Sequence, residues 1–319
     1  MKHRNAANIN LAIGRSCFVQ CSGCYNQFAK SEDLISNNEI LNFLSHARDR
    51  GIESVTYCGG DPLSRPHIIE LLLETKRLGL FVKLDTVGTP FLGDATTIFF
   101  GRNHVKGIDV AEVAAIIDRI GIPIDGSTEE TITVFRTGRK EFLTEQVKIL
   151  ELLAEHDCNI NVNTVVTQKN ASDLIEIGNL IHNISDGIGW EMFQFSPSGP
   201  ISFKQRAGFE INTSTFRKRA IAAQAHMAEL NHKGRVSALA NVDRRDLYVL
   251  VDSDGEAWRP VTAPFLDGDT IFKPPAKEVL GNIRDVENYD FIISMALSPC
   301  HTAGERPRER QSLRSATLH

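Results

Sequence analysis

The sequence predicts an α/β protein built as a partial (β/α)6 TIM-like barrel with a C-terminal extension. Three observations carry that expectation. Apolar strand-like runs alternate with helical segments from Asn8 to Pro200, the six units fall short of the eight that close a barrel, and the rhythm changes beyond Pro200. Strand followed by helix, repeated, argues for parallel strands joined by helical crossovers. The expected divisions are a barrel over 8–200, an extension over 201–303 and a tail over 304–319.

The run Ile9-Asn10-Leu11-Ala12-Ile13-Gly14 reads as the first strand, and a cysteine-bearing loop follows it. Ser36 opens a helix from Asn37 to Arg50. With Glu39 three residues on it makes a capping box, and Gly51 supplies the stop. Ser54 to Cys58 is the second strand, His67 to Leu78 the next helix, and Leu80 to Thr86 the third strand. An amphipathic segment, Val110 to Ile120, leads into a fourth strand at Gly121 to Asp125. A helix from Lys140 to His156 precedes the fifth strand, Ile160 to Val166, and Trp190 to Phe195 makes the sixth. Past Pro200, a helix from Thr213 to Asn231 is followed by strand-like Leu247 to Val251, the turn Asp252-Ser253-Asp254-Gly255 and a return strand at Glu256 to Trp258. The stretch from Gly304 to His319 is rich in Arg, Ser and Glu with few apolar residues, and its composition predicts a mobile tail.

A chain of 319 residues with 42% hydrophobic and 24% charged residues suits an ordinary globular enzyme. Its net charge of -5 gives no overall basic field, which argues against nucleic acid as a partner. No run of apolar residues is long enough to span a bilayer, so no membrane role is expected. Six cysteines, three of them within eight residues, do not form the pattern of a secreted disulfide framework, and a cytoplasmic location is expected.

Those three are Cys17-Phe-Val-Gln-Cys21-Ser-Gly-Cys24. Thiolates so spaced on one loop can converge on one centre, and three fit a [4Fe-4S] cluster with one iron left open. Zinc is the alternative reading. Cys21 and Cys24 have its C-x2-C spacing, but no second cysteine pair or closely spaced histidine pair completes four ligands. At the end of the second strand stands Gly59-Gly60-Asp61-Pro62-Leu63. Glycines there let backbone approach a ligand, and exposed carbonyls accept hydrogen bonds from an ammonium group. Further strand ends carry Asp85, Thr86, Ser127 and Asn163, each with a plain alternative: Asp85 closes a turn, and Ser127 caps a helix with Glu130. Asn163 interrupts an apolar strand, a costly placement unless it has a partner.

The cysteine loop, continued by Tyr25 and Asn26, resembles that of the radical S-adenosylmethionine (SAM) enzymes, and Gly59 to Pro62 resembles their Gly-Gly-Glu-Pro segment. The resemblance covers Asn8 to Pro200 and departs at Gly23, where many members carry an aromatic residue. It implies that Cys17, Cys21 and Cys24 hold the cluster, and that Gly59, Gly60, Asp61 and Pro62 receive the methionine amino group. It further implies ribose and methionine contacts from Asp85, Thr86, Ser127 and Asn163, with Phe195 and Pro197 flanking the adenine. One electron, from a donor such as flavodoxin or ferredoxin, then cleaves SAM, and the resulting 5′-deoxyadenosyl radical abstracts hydrogen from a small-molecule substrate.

The final third holds only Cys300, too few cysteines for the auxiliary clusters of many peptide-modifying members. The strand pair leading through Asn163, the Trp190 to Phe195 strand, and the Leu247 to Val251 strand with Leu280-Gly281-Asn282-Ile283 are loosely similar to the viperin group, which acts on nucleoside triphosphates. That similarity implies phosphate contacts from Lys204, Arg206, Arg244 and Arg245, against the alternative of a solvated surface. Three other readings stay open: a peptide-modifying or epimerising enzyme with Cys300 or Cys58 as hydrogen donor, a glycyl-radical activating enzyme, and a non-enzymatic electron carrier.

Overall fold

Alternation of residue type decides which face of each strand is covered. In β1 (Asn8–Ala12), Ile9 and Leu11 are fully buried while Asn8 and Asn10 are half-buried. The same apolar and polar period runs through β2 (Ser54–Cys58), β3 (Phe81–Asp85), β4 (Arg119–Pro123), β5 (Ile160–Val166) and β6 (Gly189–Gln194). Apolar positions of these strands pack under helices, and polar ones face the opposite side, the lumen of the partial barrel. The computed structural model describes residues 7–24, 34–197, 200–244, 249–261 and 276–297. Tyr25, Asn26, Arg245, Cys300 and the predicted tail lie outside the described residues.

The six strands stand side by side in chain order, all parallel. Between them run α1 (Asn37–Asp49), α2 (Ile68–Arg77), α3 (Val110–Ala114), α4 (Glu129–Phe135), α5 (Phe142–Glu155) and α6 (Leu174–Ile184). The capping box at α1 is present: Glu39 N donates to Ser36 Oγ at 3.2 Å, and Ser36 N donates to Glu39 Oε2 at 2.6 Å. This helix buries Ile40, Phe43, Leu44 and Ala47. Strand β4 begins at Arg119, two residues before the predicted start, because an arginine is tolerated where it faces the lumen opposite Lys83.

The region after Pro200 extends the same sheet at both edges. It contains α7 (Pro200–Phe209), α8 (Thr213–Glu229), β7 (Val236–Leu239), β8 (Val249–Val251), β9 (Glu256–Val261), β10 (Ala276–Asn282) and α9 (Tyr289–Leu297). Strand β7 adds parallel to β6, and β8 adds parallel to β1. The predicted hairpin exists as β8–β9, closed through Asp252 and Gly255, and β10 continues it antiparallel. The full order is β7-β6-β5-β4-β3-β2-β1-β8-β9-β10. No described helix is long and apolar enough to cross a membrane.

Trp190 of β6 anchors the outer layer. It is fully buried, and its indole N–H donates to Thr164 Oγ1 at 2.8 Å, while Thr164 donates to Ile124 O at 2.6 Å. Trp190→Ala is expected to cost about 3–5 kcal/mol, since it opens a cavity and strips Thr164 of a partner. Urea unfolding would show this as a lower midpoint with an unchanged slope; a loss below about 1 kcal/mol would mean the site collapses freely.

Candidate active site

The cysteine loop leaves β1 at the carboxyl end of the parallel strands, where such folds place their functional loops. It is pinned on two sides. Cys17 exchanges backbone hydrogen bonds with Phe99, Cys17 N to Phe99 O at 3.2 Å and Phe99 N to Cys17 O at 3.2 Å, and Gln20–Cys21 pairs antiparallel with Arg136–Thr137. Ser22 N donates to Phe135 O at 2.9 Å. Cys17 is buried, Cys21 and Cys24 are half-buried, and none is in a disulfide.

The three thiols lie close enough to act on one another. Burial, then the Asp61 carboxylate, then the Cys21 and Cys24 sulfurs push the Cys17 thiol well above its usual range. Thiolates so placed are stable only beside a cationic centre, so the donor set fits a metal cluster. Among the described residues no three His, Cys, Asp or Glu side chains close around a single ion. A four-iron cube asks for something else: each thiolate takes its own iron, so the sulfurs stand apart.

A residue pair that sequence reading missed supports Cys21. Arg136 donates from Nη1 to Cys21 Sγ at 3.2 Å and from Nε to Asp125 Oδ2 at 2.5 Å. Asp125 is fully buried, and its other oxygen accepts from Val165 N at 2.6 Å. Burial alone would lower the Arg136 pKa, but Asp125 and Cys21 hold it above its ordinary value. An acid closing the apolar run Ile122-Pro123-Ile124 was the available signal.

The Gly59 to Pro62 turn is clamped to the cysteine loop. Gly60 N donates to Gly14 O at 2.9 Å, and Asp61 N to Ser16 O at 2.7 Å. Gly59 has φ of +93°, and a Cβ on it would meet Ala12 Cα at 2.5 Å; one on Gly60 would meet Ser16 O at 2.4 Å. The glycines thus permit contact between turn and loop. Asp61 faces inward: its carboxylate accepts from Leu63 N, Thr86 Oγ1 and Val87 N at 3.0, 2.7 and 2.8 Å. Burial pushes its pKa up to about 6 against these hydrogen bonds. Asp61 and Thr86 therefore bind each other and shape the turn.

Asn163 does have a partner. Its Nδ2 donates to Asp85 Oδ1 at 3.2 Å, and Asn161 Nδ2 donates to Asn163 Oδ1 at 2.7 Å. Gly121 lies under the pair, where a Cβ would sit 2.0 Å from Asp85 Oδ1 and 2.5 Å from Asn163 Nδ2. Ser127 is committed elsewhere: its Oγ and N both donate to Asp173, at 2.6 and 2.7 Å. The cap of α4 is Thr128, boxed with Thr131, rather than Ser127 with Glu130. Phe195 and Pro197 are buried. Phe195 packs with Phe135 and Phe209, ring centroids 6.2 and 5.9 Å away. A Cβ on Gly23 would lie 2.5 Å from the rings of both Phe135 and Phe195, so these two fill the space beside Cys24.

Among the described residues the basic candidates do not gather. Lys204 is exposed, and Arg206 folds back over its neighbour Phe203, 4.1 Å from the ring centroid. Arg244 alone reaches the strand ends, donating from Nη2 to Gln194 O at 2.6 Å. Cys58 is buried at the end of β2, next to Gly59. Two half-buried arginines beside the loop had no sequence signal. Arg65 donates to Ile13 O at 2.7 Å and Ile35 O at 2.6 Å, joining the loop's entry to the approach of α1, and Arg15 keeps Nε and Nη2 shielded and without partners.

Burial raises the Asp85 carboxyl from an ordinary 3.8 to about 6, with the Asn163 hydrogen bond opposing. The folded protein then holds this proton more tightly than the unfolded chain. Stability from this group is present below the ordinary value and is lost as pH rises through about 6. Asp85→Asn is expected to remove that share of the decline, flattening the melting temperature between pH 4 and pH 6. An identical pH profile in the variant would show that Asp85 is ordinary.

The family description Radical SAM superfamily matches residues 11–181 of the chain. Among curated proteins, the S-adenosylmethionine-dependent nucleotide dehydratase of Flammeovirga pacifica is 19% identical over 298 residues, covering 90% of this chain and 93% of that protein. The AdoMet-dependent heme synthase of Oleidesulfovibrio alaskensis is 26% identical over 59% of this chain and 45% of its own length. Among solved structures, Streptococcus suis SuiB bound to precursor peptide SuiA aligns with a TM-score of 0.64 at 14% identity, covering 79% of this chain and 58% of that one. Native anSMEcpe with bound AdoMet aligns at 0.60 and 14% identity, covering 88% of this chain and 79% of that one. With the cysteine loop, the clamped glycine turn and the parallel sheet in place, the family match over more than half the chain makes this protein a member of the radical SAM superfamily, an enzyme family that uses a [4Fe-4S] cluster and SAM.

Proposed function

We propose that this enzyme abstracts hydrogen from a small polar metabolite of nucleotide or sugar type. The observation that carries the reading is a polar stretch of the lumen below the cysteine loop, where Asn10, Thr56, Lys83, Asp85, Arg119, Asn163 and Glu191 line the strands, with Val165 and Phe193 as apolar neighbours nearer the strand ends. Such a lining suits a hydroxylated, charged molecule. The end-to-end similarity to a nucleotide dehydratase supports the same class.

In this reading Cys17, Cys21 and Cys24 hold the cluster, and the backbone carbonyls of the Gly59–Pro62 turn accept the methionine ammonium. Asp85 and Asn163 take ribose hydroxyls, and Phe135 and Phe195 keep water from the ligand sulfurs. Cluster and SAM together supply a 5′-deoxyadenosyl radical, and the protein's own part is to orient the substrate and exclude solvent. A one-electron protein donor such as flavodoxin serves as reductant. Residues 8–200 act as the radical-generating barrel, and the segment after 200 closes the substrate side.

The deciding measurement is 5′-deoxyadenosine formation by anaerobically reconstituted, reduced enzyme with a panel of nucleotides and sugar phosphates. At least one compound is expected to raise the yield well above the substrate-free background. A flat panel, with a rise on adding peptides, would move the enzyme to the peptide-modifying class.

A further inference from the structure

The lumen contains charges that are not neutralised in the usual way. Lys83 on β3 and Arg119 on β4 are register partners, and both face the lumen with Asp85 and Glu191. Lys83 senses the other three: burial and then Arg119 lower its pKa, while Asp85 and Glu191 oppose this. Yet among the described residues none of the four forms an ion pair with another. Lys83 Nζ reaches only neutral oxygens, Asn8 Oδ1 at 3.2 Å and Ser54 Oγ at 3.5 Å. Glu191 accepts from Ser237 Oγ at 3.3 Å, and Asp85 from Asn163. The Arg119 side chain makes no hydrogen bond, although its Nε is shielded from solvent.

A shielded guanidinium nitrogen without an acceptor is costly, and a fold that needed only neutrality would pair it with the nearby carboxylate. The lumen also stays open to solvent, for Lys83, Asp85, Arg119 and Glu191 are half-buried while the residues between them on the strands are fully covered. We propose that Lys83 and Arg119 form the anion subsite for the substrate, with Glu191 across the lumen accepting its hydroxyls. The ligand class is a polyhydroxylated skeleton ending in a phosphate or carboxylate. Arginine provides paired donors for such a group, and Lys83 adds a second charge. The inference rests on the reading of the lumen as the substrate side.

Calorimetric titration of the cluster-loaded protein with ribose 5-phosphate, ribonate and ribose tests it. The two anions are expected to bind and ribose not to, the tighter of the two identifying phosphate or carboxylate as the preferred source. Arg119→Gln and Lys83→Gln should each weaken anion binding at least about tenfold, the loss of one charge-assisted contact. Arg119→Met should leave the melting temperature of the ligand-free protein unchanged or raised, because no hydrogen bond is lost. A lowered melting temperature with unchanged anion binding would make Arg119 a structural cation and overturn the proposal. So would wild-type protein that binds neither anion. The 5′-deoxyadenosine panel separates the two readings: stimulation by a nucleotide or sugar phosphate with anion binding unchanged in the Lys83 and Arg119 variants sinks the subsite alone, and anion binding with a flat panel sinks the proposed function.

Discussion

Cys17→Ala is expected to yield a folded protein that takes up little iron and cleaves SAM no faster than background. Cys17 is the most enclosed of the three thiols, beside Asp61 and within reach of the other two sulfurs. Its place in the fold is held by main-chain bonds to Phe99, which alanine keeps. Removing groups that merely support a ligand costs about 10–100-fold in metal affinity. Loss of one of the three proposed direct ligands is expected to exceed that. Iron content and visible absorbance after anaerobic reconstitution measure the loss, and far-ultraviolet circular dichroism checks the fold. A variant that reconstitutes as fully as the wild type would exclude Cys17 as a ligand, and with it the three-cysteine site.

Much of this architecture is legible locally. Strand β5 spells its burial in sequence: Ile160, Val162 and Val166 lie under helices, and Asn161 and Asn163 stand between them. The demand that Asn163 find a partner is met by Asp85, a residue 78 positions away that only the sheet brings near. Where local pattern is weak, the reading stops. Strand β7 is Val236-Ser-Ala-Leu239, short and half-buried throughout, with little to mark it as a strand. Strand β8 is legible, but its parallel pairing with β1 joins Ile9 to Val249, and no local signal encodes a partner so distant. Gly23 shows the same limit. It reads as a missing aromatic, while the space is filled by Phe135 from the end of α4 and Phe195 from the residue after β6. For Lys204 and Arg206 charge alone does not tell a pocket from a solvated helix face: on α7 Lys204 is exposed and Arg206 lies over the Phe203 ring.

The Asp125–Arg136 pair should give a large stability effect and a separate electronic one. Asp125 is fully buried and Arg136 nearly so, and each is the other's main compensation. Asp125→Ala leaves an uncompensated buried guanidinium, an imbalance worth about 3–5 kcal/mol, and also removes the acceptor for Val165 N. Thermal and urea unfolding should register a loss of that size. Arg136→Gln is different in kind. Its N–H bond to Cys21 Sγ stabilises the more negative, reduced form of a bound cluster, so removing it makes reduction harder. The expected signature is a midpoint potential shifted to more negative values, read by redox titration of the cluster's electron paramagnetic resonance signal. SAM-free protein gives the same information, which keeps the result apart from catalysis. If Arg136→Gln alters stability but not the potential, the arginine only braces the loop. If Asp125→Ala shifts the potential as Arg136→Gln does, the carboxylate acts by aiming the guanidinium at Cys21, and a buried pair 11 residues apart in sequence becomes one device.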